Sequence, residues 1–171
     1  MATHEFAIIA TGLDPVTPGF VDRFFAAGCD DATASFQRGA IILDFAREAG
    51  SLEQAVEAAV RDVRKAGATV ERVEPDSLVS LSDIASRTRL TKAAISLYAT
   101  GQRGAGFPSP VSRVTSESPL WDWVAVASWI AEFGKCDLPA DALKQARTIR
   151  KWNARLSAER EKRKPPRQAA E

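Results

Sequence analysis

The sequence predicts an α+β protein: an N-terminal βαββαβ block followed by a mostly helical half. Three observations predict it. The first 75 residues switch repeatedly between a short, β-branched apolar period and a helical one. Beyond Ser80 the apolar residues recur mainly at helical spacing. Charge also changes sign along the chain. Residues 1–76 hold 7 Lys/Arg against 13 Asp/Glu, a net of −6, and residues 77–171 hold 16 against 9, a net of +7.

The elements follow in order. "EFAIIATG" (Glu5–Gly12) is a short apolar strand bounded by the turn-rich "GLDPVTPG". "PGFVDRFFAAG" places Phe20, Val21, Phe24 and Phe25 at helical spacing and stops at Gly28, a residue suited to a helix end. "DATASFQ" and "AIILDFA" flank Arg38-Gly39 and read as a hairpin. "SLEQAVEAAVRDVRKAG" opens with Ser51 and Gln54 in capping-box spacing, and Gly67 ends it. Its apolar stripe is Leu52, Ala55, Val56, Ala59, Val60 and Val63. "ATVERVEP" closes the block as a strand anchored by Val70 and Val73. The order β-α-β-β-α-β predicts the split βαβ, ferredoxin-like arrangement: a four-stranded antiparallel sheet with two helices on one face.

Composition narrows the class of function. A chain of 171 residues buries enough surface to be stable without disulfides or metal. Cys29 and Cys136 are far apart and lack a CxxC partner, so a reduced, intracellular chain is the simplest reading, with a single disulfide between them left open. No stretch nears the ~20 apolar residues of a membrane span, and "MATHEF" is not the start of a signal peptide. A cytoplasmic protein is expected. The single histidine, His4, reads as an exposed terminal residue, which leaves little for nucleophilic catalysis. Cys29 beside Asp30 and Asp31 reads as a partly buried thiol at a polar turn. "GQRGAG" is not a phosphate loop, and no His/Cys cluster has metal spacing. The expectation is no enzyme, no metal and no cofactor.

"EPDSLVS" (Glu74–Ser80) is a short junction into "LSDIASRTRLTKAAISLYATG" (Leu81–Gly101). Two helices that cross closely need a small residue at the contact and apolar plugs inside. Counted from Leu81, Ile84, Ala85, Leu90, Ile95 and Tyr98 occupy those places. The segment therefore resembles the helix-turn-helix family. It departs twice: Thr88 stands at a usually apolar position, and Arg89 at the corner where glycine is common. The resemblance implies a second helix in the major groove of DNA. Thr91, Lys92, Ala93, Ser96 and Leu97 would then face the bases, with Arg87 and Arg89 on phosphates. The basic half is the one a polyanion prefers.

"GQRGAGFPSPVSRVTSESPLWDW" has no helical period and reads as a loop or short hairpin. "LWDWVAVASWIAEFG" resumes helix, with Trp121, Val124, Val126 and Trp129 among its apolar residues. This succession, from about Ser80 to Phe133, resembles the winged helix-turn-helix modules of excisionase-like and MerR-like regulators. The resemblance makes Phe107, Trp121, Trp123 and Trp129 packing residues, and Arg103 and Arg113 backbone contacts of the wing.

The last helix, in "DLPADALKQARTIRKWNARLSAEREKRK", is expected to be capped by Asp137. Leu138, Ala142, Gln145, Ile149, Trp152 and Leu156 form a heptad-like stripe that either pairs with its copy or packs on its own chain. The chain thus divides into an acidic regulatory or oligomerisation domain (1–76), a winged helix-turn-helix (77–134), a C-terminal helix (135–164) and a disordered tail (165–171). Two functions fit. One is a sequence-specific DNA-binding transcriptional regulator, dimeric through the C-terminal helix or the N-terminal sheet, with a ligand or partner protein at residues 1–76. The other is a protein-interaction adaptor or antitoxin-like accessory protein whose helical domain binds a partner.

Overall fold

The computed structural model describes residues 1–133 and 138–163. These form a mixed α+β chain with a four-stranded antiparallel sheet, a two-stranded sheet and six helices. Two compact units result: Met1–Pro75 together with residues 151–163, and Asp76–Arg150. Cys136, the expected cap Asp137 and the tail over 165–171 lie outside the described residues.

The first unit runs β1 (Ala2–Thr11), α1 (Phe20–Ala27), β2 (Ala32–Gln37), β3 (Ala40–Ala49), α2 (Leu52–Lys65) and β4 (Thr69–Glu74). Its strand order is β2-β3-β1-β4, with every neighbouring pair antiparallel. The β2–β3 hairpin turns on Arg38 and Gly39, both at positive φ (51° and 81°), the pair of values that matches a two-residue turn to strand twist. Alternation puts Phe6, Ile8 and Ala10 of β1 and Ile41, Leu43 and Phe45 of β3 on the buried face. Phe6 and Phe45 sit opposite each other and stack at 5.3 Å. Val70 and Val73 are three residues apart, an odd spacing for one face of a strand. A bulge resolves it: Ile9 pairs with Arg72 but Ala10 with Val70, so Glu71 is the extra residue and both valines turn inward.

Five of the six stripe residues of α2, Ala55, Val56, Ala59, Val60 and Val63, are buried, and Leu52 in its first turn is half-buried. Ser51 Oγ accepts the Gln54 N–H at 3.3 Å. Helix α1 buries Phe20 and Phe24 but leaves Val21 and Phe25 exposed. Its end is enforced at Gly28, whose φ of 105° is a left-handed conformation that side-chain-bearing residues rarely adopt. No other residue fits there without strain.

One inward position of β3 is charged. Arg47, only 8% exposed, continues the row Ile41, Leu43, Phe45. Its Nε and Nη2 donate to the two carboxylate oxygens of Asp31 at 2.7 Å each, Nη1 donates to Asp62 Oδ2 at 2.8 Å, and Nη2 also reaches the Gly28 carbonyl at 2.7 Å. Cys29 lies buried beside this network as a free thiol. Burial first, and then the nearby Asp62 carboxylate, push its pKa up to about 11, so it is no ready nucleophile.

Helix α6 (Ala142–Arg163) is shared by the two units. Asp141 and Leu138 lie ahead of it, so it starts later than the sequence suggests, just past Pro139, whose carbonyl accepts the Ala142 N–H. Its buried residues are Ala146, Ile149, Trp152 and Leu156, while Gln145 is exposed. A straight helix keeps a 3.6-residue period, and the seam drifts from Gln145 to Ala146. The stripe is buried within its own chain. In the first unit Asn153 bonds both edge groups of Val73, accepting from its N–H at 2.7 Å and donating to its carbonyl at 2.9 Å. One side-chain amide thus stands in for a neighbouring strand and covers the β4 edge. Arg160–Glu71, Arg64–Glu159 and Lys151–Glu53 add ion pairs around it.

This placement redistributes the charge. Among the described residues the first unit carries 12 Lys/Arg against 14 Asp/Glu (net −2), and the second 8 against 6 (net +2). His4, expected at an exposed terminus, is half-buried in β1. No helix among the described residues is long and apolar enough to cross a membrane.

Removing the Arg47 charge leaves two carboxylates facing a buried gap. Arg47→Met should lower unfolding stability by about 3 kcal/mol or more, seen as an earlier urea midpoint. Arg47 also holds the Asp31 carboxyl below its ordinary value of 3.8. A carboxyl depressed in the folded state stabilises the fold above its unfolded pKa and loses that contribution as pH falls through the folded value. Wild-type stability should therefore drop more steeply below about pH 4 than that of Arg47→Met, measured by urea titrations at successive pH values.

Candidate nucleic-acid interface

The second unit is built on β5 (Leu78–Val79), α3 (Leu81–Thr88), α4 (Lys92–Ala99), β6 (Trp121–Asp122) and α5 (Trp123–Phe133). The expected junction is thus partly strand: Leu78 pairs with Asp122 and Val79 with Trp121. Trp121, expected in the helix, belongs to this short sheet, because the Trp123 N–H donates to the Ser77 carbonyl at 2.7 Å just as the helix begins. Val79, Ile84, Ile95, Trp121, Trp123, Val126, Ala127 and Ile130 form one buried core. Each fully buried side chain of this kind contributes roughly 1.5–3 kcal/mol.

The α3–α4 corner follows from local chemistry. Ser80 and Asp83 make a complete capping box at the start of α3. The Ser80 hydroxyl and backbone N–H both donate to the Asp83 carboxylate, which holds its pKa below the ordinary value. At the far end Thr88, 3% exposed, donates its hydroxyl to the Ile84 carbonyl at 2.7 Å. That bond lets a polar side chain occupy a place where an apolar one is usual. Arg89 takes the left-handed conformation (φ 57°, ψ 18°), Leu90 plugs the core from a half-buried position, and Thr91 caps α4 by accepting the Ala94 N–H at 3.1 Å. Ala85 is half-buried against the core, while Ile95 and Tyr98 are buried.

These constraints leave one face of α4 open. Arg89, Thr91, Lys92, Ala93 and Leu97 are exposed and Ser96 is half-buried. The first N–H groups of α4 and the positive end of its dipole lie at the same end as Arg89 and Lys92. Arg87 is placed differently. Its guanidinium donates to the Asp76 carbonyl at 3.1 Å and lies 5.0 Å from the Trp123 ring centre. Burial lowers its pKa from the ordinary arginine value. It is taken up inside the unit, and a phosphate would have to displace those partners.

The segment after α4 is held down by aromatic residues. The indole N–H groups of Trp129 and Trp121 donate to the carbonyls of Ala105 and Pro108, each at 3.0 Å. Trp129 stacks on Phe133 at 4.4 Å and meets Tyr98 and Phe107 edge-on. Gly104 packs so closely here, at φ 71°, that a Cβ would lie 3.0 Å from the Phe133 ring. Arg103 is exposed; its N–H bonds the Leu97 carbonyl and its guanidinium lies over the Tyr98 ring at 5.4 Å, beside the end of α4. The far arm is a small antiparallel turn closed by Ser112 and Leu120. Arg113 projects from it at positive φ (51°), with Val111 and Val114 also exposed.

The structure thus sets Lys92, Ala93 and the half-buried Ser96 on α4, Arg89 and Thr91 at its N-terminal end and Arg103 beside its C-terminal end, puts Arg113 in the loop, and withdraws Arg87. The β5–β6 pair and the indole anchors of the loop were not read from sequence. Ser80 and Asp83, at N-cap and N3 spacing, did carry a legible signal for the start of α3. Among the described residues no group of three or more His, Cys, Asp or Glu is placed to hold a metal. No family model, curated protein or solved structure matches the chain.

The left-handed corner has a direct test. A β-branched side chain is poorly tolerated at positive φ, so Arg89→Val should lower the thermal midpoint, at a cost of about 1–2 kcal/mol, whereas Arg89→Gly should not lower it.

Proposed function

We propose that the protein is a sequence-specific DNA-binding regulator whose second unit is a winged helix-turn-helix. The observation that carries this reading is the corner itself. Two eight-residue helices are joined by Arg89-Leu90-Thr91, with α4 turned outward beside a loop bearing Arg103 and Arg113. In this reading α4 enters the major groove. Lys92 bonds guanine or phosphate, Thr91 and Ser96 offer short hydroxyl contacts, and Ala93 meets a thymine methyl. Arg89 and Arg103 neutralise phosphates at the two ends of α4, and Arg113 does so from the wing. The first unit, read as a ferredoxin-like domain from its strand order, serves regulation or oligomerisation rather than DNA contact, in keeping with its negative charge.

A second reading, a partner-protein adaptor, draws on one feature. The open face of α4 carries a single lysine, and its Leu97 is 38% exposed. Such a weakly charged face also suits a protein groove.

The two readings part in a fluorescence titration against duplex DNA. As a DNA binder the protein should bind random duplex at low salt, with log K falling by about 0.9 per phosphate contact against log salt. Lys92→Ala with Arg103→Ala should weaken binding at least tenfold and reduce that slope by about 1 to 2. No binding by the wild type at low salt would favour the adaptor.

A further inference from the structure

The two edges of the large sheet are treated differently. The β4 edge is covered by Asn153 of α6, which occupies both hydrogen-bonding groups of Val73. The opposite edge, β2, has the sequence ATASFQ, with no charge and no proline. An edge strand left like this offers a row of unpaired backbone groups as a template for another strand. In an antiparallel ladder, successive residues direct their backbone groups alternately to one neighbour and then the other. The Ala46 N–H bonds the Asp31 carbonyl across the β2–β3 ladder. Alternation therefore turns Thr33, Ser35 and Gln37 toward β3, and Ala34 and Phe36 outward. Phe36 sits opposite Ile41 on the helix-bearing face and is nevertheless 46% exposed.

We infer that β2 is a homodimer edge, pairing antiparallel with β2 of a second copy about a two-fold axis at Ala34. Several features select a second copy. Outward-pointing residues must pair with outward-pointing residues, so the axis passes through a residue and not between two. With the axis at Ala34, Ala32 faces Phe36 of the other copy, and the bulky ring meets a methyl group. Thr33 faces Ser35, a hydroxyl pair that is favourable across strands. In the turns that bound the strand, the end of one copy carrying Asp30 lies beside the end of the other carrying Arg38. Both are exposed, and neither has an ion-pair partner among the described residues. The two-fold makes that complementary pair twice. The result is one eight-stranded sheet whose outer edges are both β4 and both covered. This inference does not rest on the DNA-binding reading, and its test uses no DNA.

Sedimentation of the full chain over a micromolar to hundred-micromolar range should show mass rising toward twice 18.5 kDa. Thr33 and Ser35 are exposed, so charges there leave the fold intact. Thr33→Lys with Ser35→Lys sets like charges opposite each other at both pairs and should leave a monomer. Thr33→Glu with Ser35→Lys sets Glu opposite Lys and should restore the dimer. Hydrogen exchange of the unmodified protein gives a check without variants: the Ala34 and Phe36 amides should be slowed at least tenfold at high concentration relative to low. A wild type that stays monomeric throughout, a double-lysine variant that still dimerises, or amides whose exchange ignores concentration would each overturn the inference.

Discussion

A guanidinium inside the sheet–helix interface is the constraint on which the first unit depends. Arg47 sits in an inward row otherwise made of Ile41, Leu43 and Phe45, where an unpaired charge would be severely unfavourable. Its environment is therefore built around it. Asp31 comes from the turn that leads into β2, Asp62 from α2, and the Gly28 carbonyl from the end of α1. Four elements converge on one side chain, and the glycine that ends α1 is the one whose carbonyl accepts from Arg47. Such a cluster adds little net stability over an apolar equivalent, but it is costly to break, so it favours a single arrangement of the elements.

The second unit rests on a different economy of polar groups. Thr88 is tolerated in the interior because the Ile84 carbonyl takes its proton, and Trp129 and Trp121 are satisfied by carbonyls of the loop they anchor. The loop thereby gains a fixed path although it has almost no secondary structure, and Arg103 is set beside α4. A mostly irregular segment is ordered by aromatic side chains, two of them carrying polar handles.

The charge division along the chain is much weaker between the two units, −2 against +2 among the described residues. Most of the apparent contrast disappears, chiefly because the basic stretch after Arg150 packs on the acidic first unit, through Lys151–Glu53 and Arg160–Glu71. Any attraction for DNA must then come from a few placed cations around α4 and not from a generally basic half. Asn153, Trp152 and Leu156 also show why the heptad-like stripe was ambiguous. Apolar spacing records that a helix has a buried side and not what buries it.

Local chemistry was legible in the sequence where a residue's own conformation decides the outcome. Gly28 and Arg38-Gly39 marked turns, Ser51 marked a cap, the α2 stripe was read residue by residue, and the Ile84–Ala85–Leu90–Ile95–Tyr98 skeleton named the packed positions of the α3–α4 pair. What stayed hidden depends on partners distant in the chain. The bulge at Glu71 reconciles Val70 with Val73, Arg47 lies at an inward position, Arg87 turns onto Trp123, and α6 begins only at Ala142 to serve two units. The physical reason is the range of the interactions. Turns, caps and periodicity are set within a few residues, whereas burial of a charge, the pairing of an edge and the partner of an apolar stripe are decided only when remote segments meet.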